Sequence, residues 1–226
     1  MRLRAVIGLV VLLAVAGVAT AADQVVIEDW KAYPVGTTGL PGDWKPQNWG
    51  TPHYENLKIV EDEGRHALSM KSVNDSSTIN KEIKGKVHLK NTPMLEWQWK
   101  SIVLPKGANS CKKATDDQAA QVYVTFPRFP AAVRSRVIGY IWDTTAPAGI
   151  TIKSQKTGLV TYIVMRSGEA DLGKWLTETR NVCEDYRKIY GEEPDEKMEA
   201  LSIGIDSDDT RSRAEAFMGE ILFRKP

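Results

Sequence analysis

The chain has 226 residues, with 30 Lys and Arg against 29 Asp and Glu, for a formal net charge of +1. That balance, with no stretch concentrating one sign along a face, excludes nucleic acid as an expected partner. No G-x-S-x-G elbow, H-E-x-x-H, P-loop, G-x-G-x-x-G or C-x-x-C occurs, so the usual nucleophilic, zinc, phosphate and dinucleotide chemistries are excluded too, and no cofactor is expected.

The first element in the chain is a leader. "MRLR" is basic, Ala5 to Val18 is an apolar run, and Ala19-Thr20-Ala21-Ala22 ends it with small residues. This is the pattern of a secretory signal peptide over residues 1–22, expected to be removed. The run is shorter than the roughly 20 residues a bilayer-spanning helix needs, and nothing later is apolar for as long, so no transmembrane anchor is expected after cleavage. Residues 23–226 are then expected to form one exported β-sandwich domain, periplasmic or secreted.

Alternation with period two dominates the chain beyond the leader. "VVIEDW", "NLKIV", "HALSMKS" and "STINKEI" read as short strands. The loop from Pro34 to Pro52 is expected to be ordered, because Trp44 and Trp49 need something to pack on. Further along, Leu95, Trp97 and Trp99 share one side of a strand and Glu96, Gln98 and Lys100 the other. Val122, Val124 and Phe126 oppose Tyr123 and Thr125 in the same way, and "RVIGYIWD", "LVTYIVMRS", "ALSIGID" and "AFMGEILF" repeat the pattern. About ten strands separated by Gly, Pro, Asp and Asn predict an all-β, antiparallel two-sheet sandwich. One segment departs from it: in "TETRNVCEDYRKIYGEEP" the apolar positions Val182, Cys183, Tyr186, Ile189 and Tyr190 recur at helical spacing, with Gly191 placed to cap the end. A short helix near 178–190 is predicted. Cys111 and Cys183 are the only cysteines; in an oxidising compartment they can pair, and two separate buried thiols are the alternative.

The candidate binding residues fall in three groups. Glu96, Gln98, Lys100, Tyr123, Tyr140 and Trp142 are the polar and aromatic side chains of the strand faces, which combine the donors, acceptors and flat apolar surfaces that sugars need. Core burial is the competing reading for the aromatic ones. Asp116 and Asp117 precede a strand, where a carboxylate either caps backbone amides or lines a loop-built pocket. Asp206, Asp208 and Thr210 supply oxygens at the first, third and fifth positions of a calcium-type loop, but Arg211 and Phe217 stand where that loop needs glycine and glutamate. A turn shaped by Asp and Ser side chains is therefore favoured there, with ligand or cation contact as the alternative. His53, His66 and His88 stand alone and suggest no metal site.

Four stretches together, "DDQAAQVYVTF", "GYIW", "RNVCEDYRKIYGEEP" and "IDSDDTRSRAEAFMGEILF", with "LEWQWKS", resemble a family of exported bacterial proteins catalogued as a domain of unknown function, number three thousand and forty-seven. The resemblance implies a jelly-roll sandwich similar to carbohydrate-binding modules and names no reaction. It places an arginine where Gln121 stands and an asparagine where Asp209 stands, so an anionic ligand held by that arginine would be bound differently here or not at all. Three function classes are open. The first is a non-catalytic sandwich binding a glycan or small polar ligand, with no catalytic residues. The second is a polysaccharide hydrolase or lyase drawing on Asp116, Asp117, Glu96, Asp206 or Asp208; it calls for two carboxyls meeting in one cleft with perturbed titration. The third is an envelope assembly protein, which calls for an exposed apolar patch.

Overall fold

The computed structural model describes residues 23–47, 50–195 and 198–226; the leader and Trp49 lie outside them. In chain order the strands are β1 (Gln24–Glu28), β2 (Lys45–Gln47), β3 (Leu57–Asp62), β4 (Arg65–Val73), β5 (Ser76–Glu82), β6 (Met94–Val103) and β7 (Ala120–Phe126). A single helical turn, α1 (Ala131–Arg134), leads to β8 (Arg136–Asp143), β9 (Thr151–Lys153), β10 (Val160–Ser167) and β11 (Leu176–Asn181). Then come α2 (Val182–Tyr190), β12 (Ala200–Asp206) and β13 (Arg213–Arg224). They form two sheets. The first runs β11-β6-β13-β4-β3, with β1 also paired to β13, and the second runs β2-β5-β12-β7-β8-β10-β9. The pairs are antiparallel except β8 with β10, which lie parallel, Val137 opposite Val160. The chain between them turns back as β9, which pairs antiparallel on the outer edge of β10.

Alternation decides what lies between the sheets. From the first sheet, Trp97 and Trp99 of β6 point inward, edge to face with ring centroids 5.4 Å apart. From the second, Tyr140 and Trp142 of β8 meet them at 5.1 and 5.8 Å. All four are essentially unexposed. Burying rings of this size contributes roughly 4 to 6 kcal/mol of transfer free energy each, so this quartet is the centre of the core. The reading of Tyr140 and Trp142 as sheet-surface ligand residues is thereby corrected. β8 carries apolar side chains on both faces, Val137 and Ile141 on the outer one, so its pattern lacks the polar side that would have shown which face is inner.

The helix begins later than predicted, because 178–181 belong to β11, the edge strand beside β6. The Asn181 side chain accepts the backbone N–H groups of Cys183 and Glu184 at 3.1 and 3.2 Å, capping α2, and Gly191 closes it with φ 73°. Buried Asp185 ties the helix to both sheets: it accepts the Tyr140 hydroxyl at 2.9 Å and pairs with Arg180. The expected disulfide is also corrected. Both cysteines are free, because Cys183 packs on the core between the sheets and Cys111 on a second apolar cluster over the outer face of the second sheet. The second sheet lies between those clusters. Among the described residues no helix is long and apolar enough to cross a membrane.

Candidate functional site

The outer face of the second sheet is built by the alternate residues that do not enter the core. β5 contributes Ser76 and Thr78, β12 Gly204 and Asp206, β7 Gln121 and Tyr123, β8 Val137 and Gly139, and β10 Val160 and Tyr162. The connection from β9 to β10 brings Ser154, Lys156, Thr157 and Leu159 over this face. Together with Gly50 and Asp208 they enclose a cleft of about 270 Å³. Two mid-strand glycines make it possible. A Cβ on Gly139 would stand 2.7 Å from the Tyr123 ring and 2.9 Å from that of Tyr162, and a Cβ on Gly204 would stand 2.5 Å from Gln121 Oε1 and 2.7 Å from Thr78 Oγ1. Each glycine therefore lets side chains of neighbouring strands lie across it.

The cleft has three kinds of wall. Val137, Leu159 and Val160 are apolar. Tyr123 and Tyr162 stand with ring centroids 6.5 Å apart; burial holds both phenols above their ordinary pKa, helped next by Tyr162 at Tyr123 and by Asp116 at Tyr162, so both are neutral O–H groups. The third wall is polar and almost wholly buried. Thr78 and Gln121 are each 3% exposed, and Ser76 and Asp206 each 8%. Among the described residues the Ser76 and Thr78 hydroxyls make no side-chain hydrogen bond. Gln121 donates its amide to Gln118 Oε1 at 2.7 Å, and Asp206 accepts the Asp208 backbone N–H at 3.3 Å through one oxygen. None of these oxygens is sealed away without a partner, so their free capacity faces the cleft itself. A set with unspent capacity around a cleft is therefore arranged for something that enters it.

Behind this wall stands a carboxylate group. Asp117 is fully buried and accepts the backbone N–H of Asp209 at 3.1 Å and of Thr210 at 2.7 Å, as well as the Thr210 hydroxyl. It thus fixes the turn after β12. Asp116 accepts the Gln118 amide at 2.6 Å and the Ser154 hydroxyl at 3.4 Å. Burial pushes Asp116 up to about 6. Burial, then the charges of Asp117 and Asp208, pushes Asp206 up to about 9. Lys156 bridges the group, 2.5 Å from Asp209 and 3.8 Å from Asp208. Burial works against its ammonium, but the surrounding aspartates outweigh that and raise its pKa.

One carboxylate oxygen from each of Asp117, Asp208 and Asp209 lies within 4.8 Å of the others, a spacing that a hard cation can use. Both oxygens of Asp117 are already engaged by the turn, and the Lys156 ammonium sits on Asp209. The arrangement is that of a reinforced turn neutralised by a lysine.

The sequence candidates divide accordingly. Tyr123, Asp206 and Asp208 meet at the cleft, with Asp116 and Asp117 directly behind it. Glu96, Gln98 and Lys100 lie on the outer face of the other sheet. Lys100 is held by Asp62 at 2.7 Å and Glu63 at 2.8 Å, and Glu96 by Arg224 at 2.8 Å. The sequence reading missed Ser76, Thr78, Ser154, Lys156 and Tyr162 as site residues. Gly139 and Gly204, each in the middle of a strand, are the signal that could have found them. Gln121 and Asp209 are also here.

Three solved structures are similar in fold. A family 30 carbohydrate-binding module of a Clostridium thermocellum cellulosomal cellulase is 11% identical, with a TM-score of 0.45, covering 89% of this chain and 97% of that one. A family 11 module from Clostridium thermocellum, in complex with a β-1,3-1,4-mixed-linked tetrasaccharide, is 8% identical, with a TM-score of 0.43 and coverage of 91% and 98%. A cellulase derived from Cel12A of Rhodothermus marinus is 11% identical, with a TM-score of 0.43 and coverage of 88% and 97%. No curated protein matches the chain. Residues 43–222 match the family described as protein of unknown function (DUF3047), and the chain belongs to that family.

Proposed function

We propose that this protein is an exported, non-catalytic sandwich whose residues 23–226 act as one unit and bind a glycan in the cleft on the second sheet. The observation that carries this reading is the wall of buried polar groups with spare hydrogen-bonding capacity set beside two neutral tyrosines and an apolar side. Sugar rings present hydroxyls and C–H faces together, and this surface answers both. The volume is close to the lower end of ordinary ligand sites, which span about 300 to 1,000 Å³, so it suits a sugar unit rather than a large cofactor. Affinity electrophoresis against a panel of neutral and acidic polysaccharides tests the proposal. Retardation that Tyr123→Ala abolishes supports it, and no retardation by any polysaccharide overturns it.

One observation favours a second reading, a polysaccharide hydrolase or lyase. Asp206 and Asp116, from different elements, meet in one region with their titration shifted to about 9 and about 6. A neutral carboxyl near ionised ones is the pairing that general acid–base chemistry uses. Product analysis after incubation with the retained polysaccharide separates the two readings. Cleavage that Asp206→Asn abolishes without loss of retardation makes the protein an enzyme; an unchanged polysaccharide leaves it a binding protein.

A further inference from the structure

The connection between β7 and β8, residues 127–135, departs from the rest of the surface. Phe129 is 89% exposed and Val133, four residues on, 69%. Scattered single apolar side chains on a surface need no explanation, but two large ones on one short projecting segment make a patch that water disfavours. Beside them lies a groove of about 550 Å³ lined by Val133, Arg134, Arg136, Lys153 and Lys188, with no carboxylate among its lining residues. Arg134 reaches back to donate to the Phe129 carbonyl at 3.2 Å, so the basic and apolar parts are contiguous. Arg128, the residue before Phe129, and Arg136 share one counter-charge, Glu192, at 3.1 and 2.5 Å. Among the described residues Arg134, Lys153 and Lys188 make no ion pair.

We propose that residues 127–135 form a docking tip by which the protein rests on an anionic lipid surface, Phe129 and Val133 entering the headgroup layer and the surrounding cations meeting lipid phosphates. Charge complementarity selects the sign of the partner, because Arg128, Arg134, Arg136, Lys153 and Lys188 on this side of the segment outnumber Glu192, while Glu82 and Glu199 in the groove on its other side are matched by Lys45 and Lys84. The apolar pair selects its physical state. A bilayer interface takes both together, the Phe129 ring and Val133 entering the apolar boundary while the cations meet the lipid phosphates. This is peripheral attachment by one loop, independent of the cleft and of any ligand there.

Vesicle co-sedimentation of the full protein, as processed by an exporting host, is the test. Wild-type protein is compared on phosphatidylcholine vesicles and on vesicles carrying phosphatidylglycerol. A leader still attached would itself favour anionic vesicles through its basic MRLR, so mass spectrometry confirms its removal and the difference between wild-type and variant proteins is what is read. The expected result is retention on the anionic vesicles, weakened by salt. Phe129→Asp with Val133→Asp is expected to reduce partitioning at least a hundredfold, and Lys153→Glu with Lys188→Glu more than tenfold, since each cation near an anionic surface is worth about fivefold. Near-UV circular dichroism establishes that each variant keeps its fold, which exposed side chains permit. Equal sedimentation of wild-type and variant proteins overturns the proposal. So does binding to a soluble polyanion that Phe129→Asp leaves unchanged, which would make the groove a site for acidic polymers instead.

Discussion

The two outer faces of the sandwich are written in the same sequence pattern and end in opposite states. On the first sheet, Lys100 is locked between Asp62 and Glu63, and Glu96 meets Arg224. On the second, Ser76, Thr78, Gln121 and Asp206 are buried too, yet keep hydrogen-bonding capacity directed at a cleft. Polar residues opposite a core do not by themselves make a site. What distinguishes the second face is enclosure: the 154–159 connection and the turn after β12 stand over it, so a molecule entering the cleft meets hydroxyls that no side chain has already taken.

That contrast can be broken most directly by removing the aromatic wall. Tyr123→Ala combined with Tyr162→Ala is expected to weaken glycan binding about a hundredfold in titration calorimetry, while Glu96→Ala with Gln98→Ala leaves it unchanged. Equal losses from both pairs would erase the distinction between the faces. Gly139→Ala comes next. Its methyl would stand 2.7 Å from the Tyr123 ring and push it into the cleft; affinity should fall about tenfold, with roughly 1 to 3 kcal/mol lost in denaturant unfolding from the overpacking.

The pH dependence of stability sharpens the electrostatic half of the contrast. Asp206 has its folded-state pKa raised to about 9, by burial and then by the charges of Asp117 and Asp208. In the unfolded chain it titrates near the ordinary value of about 4. Between those limits the folded protein holds a proton that the unfolded one has lost. Asp206 therefore makes stability fall as pH rises from about 4 to about 9, and below that window it has no effect. Thermal unfolding at pH 5 and pH 8 should show this decline in the wild type and a flatter profile in Asp206→Asn, with the variant the more stable at pH 8. A change confined to the first face separates stability from binding: Lys100→Ala, which removes a buried ammonium from Asp62 and Glu63, should cost about 1 to 3 kcal/mol and leave binding untouched.

Much of this architecture was legible because strands announce themselves by alternation and α2 by its 3.6-residue period, its cap at Asn181 and its stop at Gly191. Alternation shows which residues share a face but not which face is inner. Trp97 and Trp99 were resolved by the polar residues between them, whereas β8 is apolar on both sides, so Tyr140 and Trp142 were open to the wrong assignment. The site was half visible. Tyr123, Asp206 and Asp208 stood out as chemistry, but Ser76, Thr78, Ser154 and Lys156 join them only through strand order and the placing of a loop, which no local pattern encodes. The cysteine pairing failed for a related reason, since compartment chemistry says nothing about which side of a sheet each thiol occupies.

The proposal stands or falls on whether recognition belongs to the covered face of the second sheet. Amide chemical-shift mapping during titration with a soluble oligosaccharide of whichever polysaccharide retards the protein tests this most directly. The largest shifts are expected at Thr78, Gln121, Tyr123, Gly139, Tyr162 and Gly204. Shifts concentrated instead around Glu96, Gln98 and Lys100 would contradict it.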